Sequence, residues 1–258
     1  MSMNFKIIGE SMPCVEIELN ANESTIAEAG AMKYFEGGIN FEVKLGDGSN
    51  QKQGILRKML SATKRVMTSE SFFLTHFTNN TEIPKKVSFS GPYPGQIIAM
   101  NLGDMGGKVY AQKSAFICAS IGTKLSMAFS RKIGAGFFGG EGFVLQKIEG
   151  DGEVFIHAGG TIVEKAIEDE TIYLETGSLV AFTSGITYDI ETTTSVKSVM
   201  FSGEGIYLCR LSGTGKVWVQ TMPFSSFAGV MFDMLEPKII KSINNAVNRV
   251  EKERTYSK

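Results

Sequence analysis

GEGFVLQKIEGDGEVFIHA, residues 140–158, is the stretch on which the reading of this chain turns, because the chain writes it again. GEGIYLCRLSGTGKVWVQT, residues 203–221, repeats it without a gap, and SESFFLTHF, residues 69–77, is a looser, earlier copy. Glu70 to Glu141 is 71 positions and Glu141 to Glu204 is 63. One supersecondary unit per copy at such a period implies an internally repeated fold.

The flanking segments recur in the same order. In CVEIEL, residues 14–19, Val15, Ile17 and Leu19 alternate with Glu16 and Glu18, which predicts a strand with one wet face. TIAEAGAMKYF follows as a strand broken at Gly30, and GINFEV, residues 38–43, adds another. In the second unit VSFS, QIIAMNL, KVYAQKSAFICAS and TKLSMAF take the corresponding places. In the third, VFIHA, TIVEKAI, TIYLETGSLVAF and ITYDIE do so. VWVQT, residues 217–221, begins a further round that is not completed, as a strand that closes a sheet would. The expected fold is therefore all-β: three tandem sandwich-like units at about residues 4–77, 87–148 and 154–211, related by pseudo-threefold symmetry, in one body spanning 1–222. A linker and an amphipathic helix complete 223–258. The helix is expected over 237–252, with Pro237 in its first turn and Ile239, Ile240, Ile243, Ala246, Val247 and Val250 at 3.6-residue spacing.

Composition narrows the function classes. The 26 basic and 27 acidic residues balance, so nothing marks the whole surface for nucleic acid or acidic lipid. Three separated cysteines, Cys14, Cys118 and Cys209, give neither a zinc motif nor a disulfide framework and suit a reducing compartment. No leader pattern and no membrane-length apolar run is present, so the expected location is cytoplasmic, with peripheral membrane contact left open.

Within the repeated strand, one face reads apolar, apolar, basic in each copy, ending in His76, Lys147 and Arg210, and the other face is largely apolar too. That pattern predicts a strand buried on both faces, with the three basic residues marking where each strand emerges into water. Glu70, Glu141 and Glu204 open the same strands. Three such carboxylates about an axis form a candidate cation site; acceptance of hydrogen bonds from turn N–H groups is the commoner role. Residues 51–67, QKQGILRKMLSATKRVM, predict a helix whose Arg57, Lys58, Lys64 and Arg65 make a candidate contact with an anionic surface or a partner groove. The glycine-flanked Phe137 and Phe138 form a second candidate contact. No P-loop, strict G-x-S-x-G or H-E-x-x-H motif occurs, so no enzyme, cofactor or resident metal is expected.

The strings AEAGAMKYFEGGINFE, ILRKMLSATKR, SESFFLTHFT, PYPGQIIAMNL and GEGFVLQKIEGDGEVFIHAGGTIVE, in this order, resemble the bacterial relatives of the "altered inheritance of mitochondria" mitochondrial biogenesis family over most of residues 5–221. The resemblance implies a β-sandwich body of units like those of the tryptophan RNA-binding attenuation protein, without an established enzymatic activity. The leading expectation is a non-enzymatic scaffold or binding protein, self-associating, acting at a membrane surface or on a protein complex. The alternatives are a nucleic-acid-binding module with a basic ring of His76, Lys147 and Arg210, and a metal or small-molecule enzyme centred on the three glutamates.

Overall fold

A computed structural model describes residues 3–46, 73–131, 143–193 and 206–256. Glu70, Glu141 and Glu204, the basic segment with Arg57, Lys58, Lys64 and Arg65, and the Phe137–Phe138 pair fall outside these residues. The chain is mostly β, with one long C-terminal helix.

The strands run β1 (Asn4–Ile8), β2 (Cys14–Leu19), β3 (Ser24–Ala27), β4 (Met32–Phe35), β5 (Ile39–Leu45) and β6 (Phe73–Asn79), then β7 (Lys85–Ser90), β8 (Gly95–Asn101), β9 (Lys108–Gln112), β10 (Phe116–Ser120), β11 (Lys124–Arg131) and β12 (Phe143–Glu149). They continue with β13 (Glu153–Gly159), β14 (Ile162–Glu175), β15 (Leu179–Thr183), β16 (Ile186–Thr193) and β17 (Ile206–Gln220), and the helix α1 is Phe224–Tyr256. The first sheet is ordered β1-β2-β7-β4 and the second β5-β6-β3-β10-β13-β8. The third is ordered β11-β12-β9-β15-β17-β14, with β16 also on β17.

The alternation in CVEIEL does what period two requires: Val15, Ile17 and Leu19 are buried while Glu16 and Glu18 stay at the surface layer. Fully burying an aliphatic side chain of this kind contributes about 1.5–3 kcal/mol. Three apolar clusters result. One gathers Ile26, Leu74, Ile148, Val154 and Trp218; a second, Val15, Ile17, Phe77, Phe89 and Phe155; a third, Phe143, Leu145, Leu179, Leu211 and Val217. Gly30 has a φ of +91°, a left-handed conformation that favours glycine and turns the chain between β3 and β4 where the sequence predicted a break.

Several expectations are corrected. VWVQT is not a separate strand but continues β17, so IYLCRL runs into it without interruption. TIVEKAI and TIYLE likewise join in β14, bent where the register shifts between Ile167 and Glu170. A 3-10 turn at Thr176–Ser178 then separates β14 from β15, dividing TIYLETGSLVAF. β12 is buried on both faces, through Phe143 and Leu145 on one and Gln146 and Ile148 on the other, whereas β6 leaves Phe73 half exposed. The helix begins at Phe224 instead of 237, and Pro237 lies inside it. Proline there removes one N–H donor, but the surrounding turns are exposed, so the released carbonyl faces water. Within 224–241 only Ser225 and Ala228 are half buried, and the other residues are exposed.

Candidate functional site

The turns that enter β4, β10 and β15 bring chemistry-bearing residues to one place. Glu28 follows β3, Gln112 ends β9 with Lys113 and Ser114 after it, and Gly177 follows β14; all of them line a single cleft of about 980 Å³. The first three turns of α1 supply the facing wall through Phe224, Ala228, Gly229 and Phe232. Tyr93, Phe143 and Pro223 fill in between. That volume lies near the upper end of the usual range of about 300–1,000 Å³ for ligand sites.

The polar groups of the floor are occupied by the protein. Gln220 accepts a hydrogen bond from the Gly159 N–H at 2.7 Å and donates to the Gly177 carbonyl at 2.7 Å. Gln112 donates to the Thr176 carbonyl at 3.3 Å, and Gln146 behind it donates to the Lys113 carbonyl at 3.2 Å. Both cleft glutamines are nearly fully buried, so these bonds avoid the cost of a buried amide left unpaired. Glu28 and Lys113 are the charged residues among those lining the cleft.

Behind the cleft lies an aromatic stack that anchors the helix. The Phe224 ring stacks on Tyr93 with centroids 5.1 Å apart, and Tyr93 meets the His157 ring edge-on at 4.5 Å. His157 is 2% exposed and its Nδ1 has no hydrogen-bond partner. Burial holds its pKa below the ordinary imidazole value, opposed by a backbone hydrogen bond with Tyr93. Burial also raises the Tyr93 hydroxyl. The histidine fits because Gly91 and Gly95 have no side chains: a Cβ at Gly91 would stand 2.3 Å from the ring.

The basic residues singled out from the repeated strand do not form an exposed ring. His76 is buried, with its Nε2 3.2 Å from the Gly46 carbonyl, so it does not mark a strand's emergence into water. Its neighbour Phe77 fills the core, and His76 itself stands opposite Glu42 of β5 in the ladder. Lys147 is paired with Glu149 at 2.9 Å along the same strand, and Arg210 stands 3.7 Å from Glu191 on β16. Among the described residues no group of three or more His, Cys, Asp and Glu residues could hold a metal ion. None of the described helices is long and apolar enough to cross a membrane, which says nothing of crossing by strands.

Sequence reasoning missed the cleft and the His157–Tyr93–Phe224 stack. Tyr93 and Phe224 are 131 positions apart, and no periodicity links them. The available signal was glycine: Gly91 and Gly95 around Tyr93 mark a close approach, without naming its partner.

Comparison with known proteins adds the following. Residues 5–222 match the model of the family described as "Mitochondrial biogenesis AIM24". An uncharacterised protein of Streptococcus pyogenes serotype M6 is 28% identical over 221 residues, covering 85% of each chain. The crystal structure of another Streptococcus pyogenes protein superposes with a TM-score of 0.69 at 24% identity, covering 90% of this chain and all of that one. At that identity the likeness speaks for the fold alone.

Proposed function

The chain belongs to the mitochondrial biogenesis AIM24 family, and from that premise we propose that it is a non-enzymatic scaffold of three like β units that assembles with further copies of itself through α1. The observation that carries the proposal is the helix surface. Phe224, Phe227, Val230, Met231, Phe232, Met234, Leu235, Ile239 and Ile240 are all exposed along one continuous segment. Contiguous apolar surface of that extent is expected to meet a partner.

Spacing favours another helix as that partner. In the sequence Phe224, Ala228, Met231, Leu235, Ile239, Ile243, Ala246 and Val250 follow steps of three and four residues over positions 224–250 of α1, a spacing that spans roughly 40 Å at 1.5 Å per residue. Its charge speaks against an anionic membrane surface. The helix carries five basic residues, Lys238, Lys241, Arg249, Lys252 and Arg254, against four acidic ones, Asp233, Glu236, Glu251 and Glu253, without the basic excess of an interfacial helix.

The three-unit reading is supported by pairings that recur six strands on from the first unit to the second, and again in the third, where β14 and β17 each take the places of two strands. β7 lies between β2 and β4, and β13 between β8 and β10; the end of β17 lies between β14 and β15 in the same way. β6 lies between β3 and β5 and β12 between β9 and β11, as the start of β17 does between β14 and β16. Phe77, Ile148 and Leu211, which align in the repeated strand, fall one into each apolar cluster.

Sedimentation velocity over a concentration series tests the assembly. The full chain is expected to form species heavier than one chain, and Met231→Glu with Leu235→Glu to return it to a monomer with an unchanged melting temperature. A wild-type chain that stays monomeric at every concentration rejects the proposal. Sedimentation only on anionic vesicles reassigns the helix to a membrane surface.

A further inference from the structure

We infer that the cleft at the foot of α1 is a binding site for a single-chain amphiphile, an unbranched acyl chain of fatty-acid length with a small polar head. Three features of the cleft converge on that class. Its helix side presents Phe224, Ala228 and Phe232, and its remaining wall Tyr93 and Phe143, surfaces that contribute through apolar contact. The amides of its floor, Gln112 and Gln220, already have backbone partners. An apolar chain therefore displaces water without stripping a floor amide of its hydrogen bond.

Polarity is distributed unevenly round the cleft. The hydrophilic side chains Glu28, Lys113 and Ser114 sit on turns of the β body, whereas the helix adds one hydroxyl, Ser225, to Phe224, Ala228 and Phe232. A ligand with one polar end and a long apolar one matches that division; a sugar or nucleotide, needing hydrogen bonds along its length, does not. The cleft also has room on its helix side, since a Cβ placed at Gly229 meets nothing within 4 Å. The cleft shares Phe224, Ala228 and Phe232 with the helix surface proposed above for self-assembly; the two are told apart because ligand stoichiometry is counted per chain, whatever the assembly size.

The test is fluorescence titration of the full chain with cis-parinaric acid, an 18-carbon fluorescent fatty acid, followed by competition. The expected result is saturable binding at one probe per chain, displaced by palmitate below its micelle concentration and not by octanoate. Phosphatidylcholine vesicles should leave the probe bound; vesicles that extract it where palmitate does not would show bilayer partitioning and overturn the site. Gly229→Phe and Ser114→Trp fill the cleft from opposite walls, so that if one fails to fold the other still decides. Each is expected to weaken binding at least tenfold. Met234→Ser lies on the helix at 68% exposure and outside the cleft, and is expected to leave affinity unchanged. Non-saturable binding, or equal loss in all three variants, assigns the probe to the exposed helix surface and overturns the inference.

Discussion

His157 is the residue at which folding and titration meet. Its pKa in the folded chain lies below the ordinary value of about 6.5 because burial penalises the charged ring. The unfolded chain therefore binds more protons as pH falls below that value, and folding stability falls with it until the folded state also protonates. Thermal melts from pH 8 down to pH 5 should show this loss in the wild type and a flatter profile in His157→Gln. Acid should loosen the helix anchor as well, since the imidazole supports Tyr93 and Tyr93 supports Phe224. Gly91→Ala attacks the same place by crowding and is expected to cost about 1–3 kcal/mol in urea denaturation. The thiols offer a separate check. Burial lifts Cys118 well above the usual thiol range and Cys209 to about 11, whereas Cys14 is half buried. One thiol per chain should react with a disulfide reagent in the native state, and three after unfolding.

At the scale of elements, strands with one wet face were legible in the sequence and long-range partners were not. CVEIEL announced its pleat because Glu16 and Glu18 alternate with three aliphatics, and Gly30 announced a break because no other residue takes its φ as cheaply. The copied strand did not announce that β17 would run on without a turn: Gly213 and Gly215 stand between IYLCRL and VWVQT, yet both remain within the ladder to β14. Pro237 misled for a related reason. Proline commonly opens a helix, and only the exposure of its neighbours lets it stand inside one. The recurrence of one strand predicts like energetics. Ile148→Ala and Leu211→Ala should each cost about 2–5 kcal/mol and Phe77→Ala about 3–5 kcal/mol in equilibrium unfolding, because each opens a cavity in a different apolar cluster. A near-zero cost at one of the three would show that it does not share the others' role. The cleft lay beyond reach altogether, because it is assembled from Tyr93, Lys113, Gly177 and Phe224, which no local pattern connects.

For the molecule as a whole, the order of the chain decides when the body can be finished. Strand β17 is the last of the sheet strands, yet it holds β14, β15 and β16 at once. A nascent chain leaving the ribosome therefore lacks its fastening until residue 220 is free of the exit tunnel, and translation stalled earlier leaves three strands with open edges. Holdase chaperones should engage such truncated products and release the full-length chain.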